Sequence, residues 1–216
     1  MINQRVSPAG IASQPHIEEF GKTAAVKLPA AVSPRVLAVA APVIAAGVFV
    51  FGLAVYEYAG APRSAQDLAE LFGLFLVMAL AERFPVQVEG MGANGVTLGF
   101  VFSVSAIILL GWPAGVIVAA GAPALVHIFQ HRPPLRIAYN GSMFALSALA
   151  AGLAVEHVPG DSTEILVARV VLCGFVYCVV NLVLISAILA ADSGRNFFTI
   201  AQENVVRTIA PFAFMV

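Results

Sequence analysis

The sequence predicts an all-α membrane protein: a polytopic transmembrane helical bundle with six full spans, the start of a seventh and one amphipathic interfacial helix. Three observations predict it. Hydrophobic residues make up 60% of the chain, against about 45–50% in ordinary soluble chains. Charged residues make up only 11%, against about 25%. The apolar residues are also gathered into runs separated by short polar or Pro/Gly-rich turns, as helices that must satisfy their own backbone in lipid require. The net charge of −1 leaves no bulk basic surface for nucleic acid.

Residues 1–35 are polar and carry Pro8, Pro15, Pro29 and Pro34. They lack the apolar core of a secretory leader and are expected to form a flexible cytoplasmic tail. The first span is expected over 36–58, with Pro42 inside it and Tyr56 and Tyr58 suited to an interfacial belt. Asp67 can cap the second, over 67–84, whose clearly apolar part is only 71–81. A non-helical piece follows: Pro85 breaks the helix, and Val86-Gln87-Val88-Glu89 alternates like a strand before Gly90, Gly92 and Gly95.

The third span is expected over 96–110. "GWPAG" makes a tight hairpin, with Trp112 at the interface and Pro113 opening a new helix. The fourth span covers 114–130, and "HRPPLR" is a stiff basic turn. The fifth, over 137–155, carries small-xxx-small pairs, Gly141 with Ala145 and Ala148 with Gly152, which permit close packing. The sixth covers 164–190. Cys173 and Cys178 inside it stand on different helix faces. "ADSGRN" turns the chain into an amphipathic helix over 196–207, with Phe197, Ile200, Ala201 and Val205 on one face. The run from Ile209 to Val216 is too short to cross a bilayer, so the sequence is read as cut off inside a seventh span.

With a cytoplasmic tail, the inner segments hold Arg5, Lys22, Lys27, Arg35, Arg83, Arg132, Arg136, Arg195 and Arg207, and the outer loops only Arg63. That asymmetry fits the positive-inside rule.

Few residues carry chemistry. Glu82 and Arg83 stand together at the end of a span. Both can snorkel to the interface, or Glu82 can turn inward as a ligand or coupling group. Glu89 lies in the extended piece, which either floats as a loop or dips into a protein-lined vestibule over 85–94. "HIFQH" places His127 and His131 four apart, a spacing that can bind a metal when both are helical. The glutamate of an H-E-x-x-H site is missing, because Ile128 stands there. Arg169 is a charge inside the sixth span, with Glu164 and Glu156 as partners by proximity. Asn140 and Asn181 lie in apolar spans and each needs a hydrogen-bond partner. No Ser-His-Asp order, phosphate loop or paired-Cys zinc pattern is present, so no cofactor is expected.

These pieces resemble a known family. "LAERFPV" at 80–86, "GVTLGFVFSVSAIILLGWPAG" at 95–115, "HRPPLRIAYNGSMFALSALAAGL" at 131–153 and "VYCVVNLVLISAILAADSGRNFFTIAQENVVRTIAP" at 176–211 are similar to the N-terminal multi-helix membrane sensor regions of bacterial signalling proteins with HD-GYP or GGDEF output domains. The resemblance spans 36–216, which it makes a membrane sensor or anchor domain. It implies a multi-pass protein of the bacterial inner membrane, controlling a cytoplasmic output domain that makes or degrades cyclic di-GMP. This chain stops before any such enzyme. The expected partners are the lipid bilayer, a small ligand or membrane state, and, as an open option, a second copy in a homodimer. Two other readings stay open: the substrate-binding membrane subunit of a small-solute transporter, and an intramembrane metalloenzyme using Glu82 with the histidines.

Overall fold

The computed structural model describes residues 32–84, 99–160 and 162–213, with side chains described as far as Val205. Residues 1–31, which hold most of the expected tail, lie outside the described residues. So does the 85–94 piece with Glu89. The described chain is all-α, and from Ser33 onward it belongs to one compact unit. Its seven helices are α1 (Pro34–Gly60), α2 (Ala65–Arg83), α3 (Gly99–Leu110), α4 (Trp112–Phe129), α5 (Pro134–Glu156), α6 (Thr163–Ser193) and α7 (Phe197–Ala213).

Local sequence sets most of the boundaries. Ser33 caps α1 by accepting from the Val36 N–H at 3.3 Å, and Pro34 follows at the first helical position. Ser64 opens α2 with a reciprocal box. Its hydroxyl accepts from the Asp67 N–H at 3.1 Å, and the Asp67 carboxylate accepts from the Ser64 N–H at 3.0 Å. Asp67 is therefore the third residue of the box and Ser64 the cap itself. Gly111, at φ 87°, alone joins α3 to α4. Inside α4, Ile117–Gly121 forms a π turn just ahead of Pro123. Proline has no N–H to donate and its ring crowds the carbonyl four residues back, so the wider turn carries the helix past it. Ser162 caps α6, and Gly194, at φ 68°, ends it.

Among the described residues, four helices are long and apolar enough to cross a membrane: α1, α4, α5 and α6. The expected six full spans and the start of a seventh are not supported. The uninterrupted apolar stretch of α2, 71–81, rises only about 16 Å, against a hydrocarbon core of about 30 Å. The 12 described residues of α3 rise about 18 Å. Both instead pack along α4. Met78, Ala106, Val118 and Ala122 make a buried cluster with Leu71, Leu74, Phe75, Ala79 and Phe102 around it. The amphipathic helix and the apolar run after it are one element, α7. No glycine or proline stands between Val205 and Ile209 to end it.

α5 is the centre of the bundle and touches α1, α4 and α6. Its buried face is rich in small residues: Ser142, Ala145, Ser147, Ala148, Ala151 and Gly152. A Cβ added at Gly152 would overlap Trp112, so the expected small-residue contact is real there. Gly141 has ordinary room beside Ala120 and Ala124. The tightest approach to α1 falls elsewhere. A Cβ at Gly47 would overlap Ser142, whose hydroxyl donates to the Ile44 carbonyl at 3.3 Å.

Tyr56 and Tyr58 do not share an interfacial belt. Two residues on a helix point well apart. Tyr56 is exposed, whereas Tyr58 is buried with Leu110 and Ala114. The Arg63 guanidinium lies 4.3 Å from the Tyr58 ring centroid.

Candidate functional site

One polar contact crosses the α2–α4 interface. Glu82 lies in the last turn of α2 and His127 in the last turn of α4, and Nε2 of His127 is 3.2 Å from Oε1 of Glu82. Both side chains are mostly buried, 12% exposed for His127 and 14% for Glu82. Glu82 therefore turns inward. Its neighbour Arg83 turns outward, with its guanidinium 5.3 Å from the Phe84 ring centroid. Successive residues on a helix point about 100° apart, so one of the pair faces inward and the other outward.

The carboxylate fixes the imidazole. A neutral His127 donates Nε2–H to Glu82, and a protonated one forms an ion pair with it. Nδ1 of His127 is then a buried atom with no hydrogen-bond partner among the described residues. The walls of the site come from α3 and α6. Gly99 sits against Met78 and close to Glu82. The Tyr177 hydroxyl lies beside Ser103 and within electrostatic reach of Glu82. Ser103 donates to the Gly99 carbonyl at 3.3 Å. The carboxylate and imidazole thus meet between α2 and α4, beside the start of α3. Such a pair can pass or hold a proton, or tie α2 to its neighbours through one breakable contact.

His131 is not part of it. α4 ends at Phe129, and the chain closes with two bonds: His131 N–H to the Ile128 carbonyl at 2.9 Å, and Arg132 N–H to the His127 carbonyl at 3.1 Å. This capping pattern places His131 in a left-handed conformation, at φ 54°. It is exposed and does not share a helical face with His127. The i,i+4 pairing fails because it assumes a helix that has already stopped. Among the described residues, no three His, Cys, Asp or Glu side chains cluster to hold a metal.

The remaining candidates are dispersed. Arg169 bonds neither Glu156 nor Glu164; Nε and Nη2 both donate to the Val158 carbonyl, at 3.0 and 2.6 Å. Asn140 and Asn181 are half-buried, and neither amide finds a hydrogen bond among the described residues. The interhelical polar contacts are made by other groups. Tyr139 donates to the Leu184 carbonyl at 2.6 Å, and Asn204 donates to the Ser186 hydroxyl at 3.1 Å. Tyr139 had a readable signal, since a phenol in an apolar span needs a polar partner. Cys173 is buried and Cys178 exposed, on different faces of α6.

No family model, no curated protein and no solved structure matches the chain.

Proposed function

We propose that this chain is the sensing and anchoring membrane region of a bacterial signal-transduction protein, set in the inner membrane with its N-terminus in the cytoplasm. In this reading it controls a cytoplasmic domain that makes or degrades cyclic di-GMP. The four quoted segments that resemble such regions support it. The observation that carries it is the Glu82–His127 contact. Four apolar helices anchor; a mostly buried acid–imidazole contact between one of them, α4, and the shorter α2 is what a stimulus can make or break. A ligand or membrane state shifts a two-state bundle only through different affinity for the two arrangements.

The finer topology belongs to the same proposal: α1, α4, α5 and α6 cross the membrane, and α2 and α3 lie against α4 without adding spans of their own. α2 starts next to Tyr58, whose hydroxyl donates to the Asp67 carbonyl at 3.4 Å, and it ends at His127. α3 starts at Met78 and ends at Tyr58. Arg83 and the 130–133 turn then face the cytoplasm and Arg63 faces outward, as the positive-inside rule favours.

The test fuses the chain to a diguanylate cyclase and measures cyclic di-GMP in cells. Output is expected to depend on the bundle and to shift in Glu82→Gln and His127→Ala. Unchanged output in both variants, at equal protein levels, would reduce the region to an anchor. Cysteines placed at Arg63 and Arg132 test the topology by labelling from opposite sides.

A further inference from the structure

Away from Glu82 and His127, three helices meet around a second polar feature. A recess is lined by Ile107 and Ile108 of α3, Val155 and Glu156 of α5, and Arg169 of α6. Arg169 stands about 9 Å along the axis from the start of its helix, counting six residues of helical rise. A charge there is expensive unless it is paired or used. Its two described bonds both go to one neutral carbonyl, that of Val158. A guanidinium has five N–H donors. Those two bonds leave three donors and the whole positive charge without an acidic hydrogen-bond partner among the described residues. Glu156 lines the same recess, and among the described residues it makes no ion pair with the guanidinium. Ile107, Ile108 and Val155 give the recess its apolar lining.

We infer that this recess binds a small zwitterion carrying an apolar group. Its anionic end takes the unspent donors of Arg169, and its ammonium end takes the Glu156 carboxylate. Its apolar part lies on Ile108 and Val155. A purely anionic ligand would meet the carboxylate, and a purely cationic one the guanidinium, so each single charge is disfavoured. The same chemistry is offered by a free amino acid with an aliphatic side chain and by a phosphatidylethanolamine headgroup. The site owes nothing to the signalling reading, and binding is measurable whatever the bundle controls.

Trp112, the single tryptophan of the chain, packs against Gly152, one turn before Glu156 on α5. It is a built-in probe. The full chain in nanodiscs of phosphatidylglycerol is titrated with L-leucine while Trp112 emission is followed. A second arm adds phosphatidylethanolamine to the discs. A saturable response in either arm is expected, and the arm that responds identifies the source. Arg169→Leu and the exposed Glu156→Gln are each expected to weaken it by about tenfold or more, the loss that removing a charge-assisted hydrogen bond produces. Acetate or ethylammonium alone is expected to give no response. No saturable response in either arm overturns the inference, as does an acetate response equal to that of leucine. A response that survives Glu156→Gln unchanged overturns it too, and that variant leaves the buried packing intact.

Discussion

Glu82 and His127 are 45 positions apart in sequence, yet Oε1 of one lies 3.2 Å from Nε2 of the other. Each is mostly buried, so each is the other's main compensation for leaving water. Removing one leaves its partner unpaired, which costs about 1–3 kcal/mol for a buried polar group. Glu82→Ala and His127→Ala are each expected to lower stability of the purified protein by that amount. The double variant should lose clearly less than the sum, with a coupling of about 1 kcal/mol or more. Denaturation of the four proteins in one detergent measures it. Additive losses would mean the contact contributes nothing.

α1 supplies a matched pair of glycines. Gly47 faces Ser142 with no room for a Cβ, whereas Gly52 has nothing within 4 Å. Gly47→Leu is expected to force α1 from α5 at a cost of about 1–3 kcal/mol, as overpacking usually does. Gly52→Leu should instead gain about 0.5–1 kcal/mol, because glycine is a poor helix residue. Thermal unfolding of both variants tests this, and equal effects would place the α1–α5 contact wrongly.

The long helices were legible because their punctuation is local. Ser33-Pro34, Ser162 and Gly194 act within a few residues, and α1, α5 and α6 follow within four residues of their expected bounds. The span count was not legible. Hydropathy reads the composition of a helix but not the neighbours that cover it, and α2 and α3 derive their place from α4. The site was half legible. Glu82 and His127 stood out as ionisable groups in apolar sequence, and one open reading set Glu82 beside the histidines, but the i,i+4 pairing of His127 with His131 does not form. A periodic pattern carries no mark of where the helix stops, and Phe129 ends it two residues before His131. Contacts such as Asn204 to Ser186 are tertiary and leave no periodic trace.

His131 itself gives the third prediction. A side chain held at φ 54° costs about 1–2 kcal/mol relative to a right-handed conformation, and glycine is free of that penalty. His131→Gly is expected to stabilise by up to about 1 kcal/mol, and His131→Val to destabilise by about 1–2 kcal/mol. Zinc should not raise the melting temperature of wild type more than that of His131→Gly. A zinc-dependent rise that vanishes with either histidine would restore the paired-histidine site.

α7 provides the last. It is held to α6 by the hydrogen bond from Asn204 to the fully buried Ser186 hydroxyl, by buried Ile200, and by an exposed ion pair in which Arg195 Nη1 and Glu203 Oε2 are 3.2 Å apart. The ion pair is weak by location: it is hydrated and screened by salt. Its bond to Glu203 raises the Arg195 pKa above an already high value. A raised basic pKa stabilises below the unfolded value and is lost only as pH climbs past the folded one. The contact is therefore constant from acid to mildly basic solution. The Asn204 bond is the stronger link because Ser186 has no water to replace it. Asn204→Ala is expected to cost about 1 kcal/mol of docking, or about fivefold faster amide exchange in 197–205. Glu203→Gln should change exchange less than Asn204→Ala at physiological salt. The opposite ranking would show that charge, not the buried hydroxyl, docks α7.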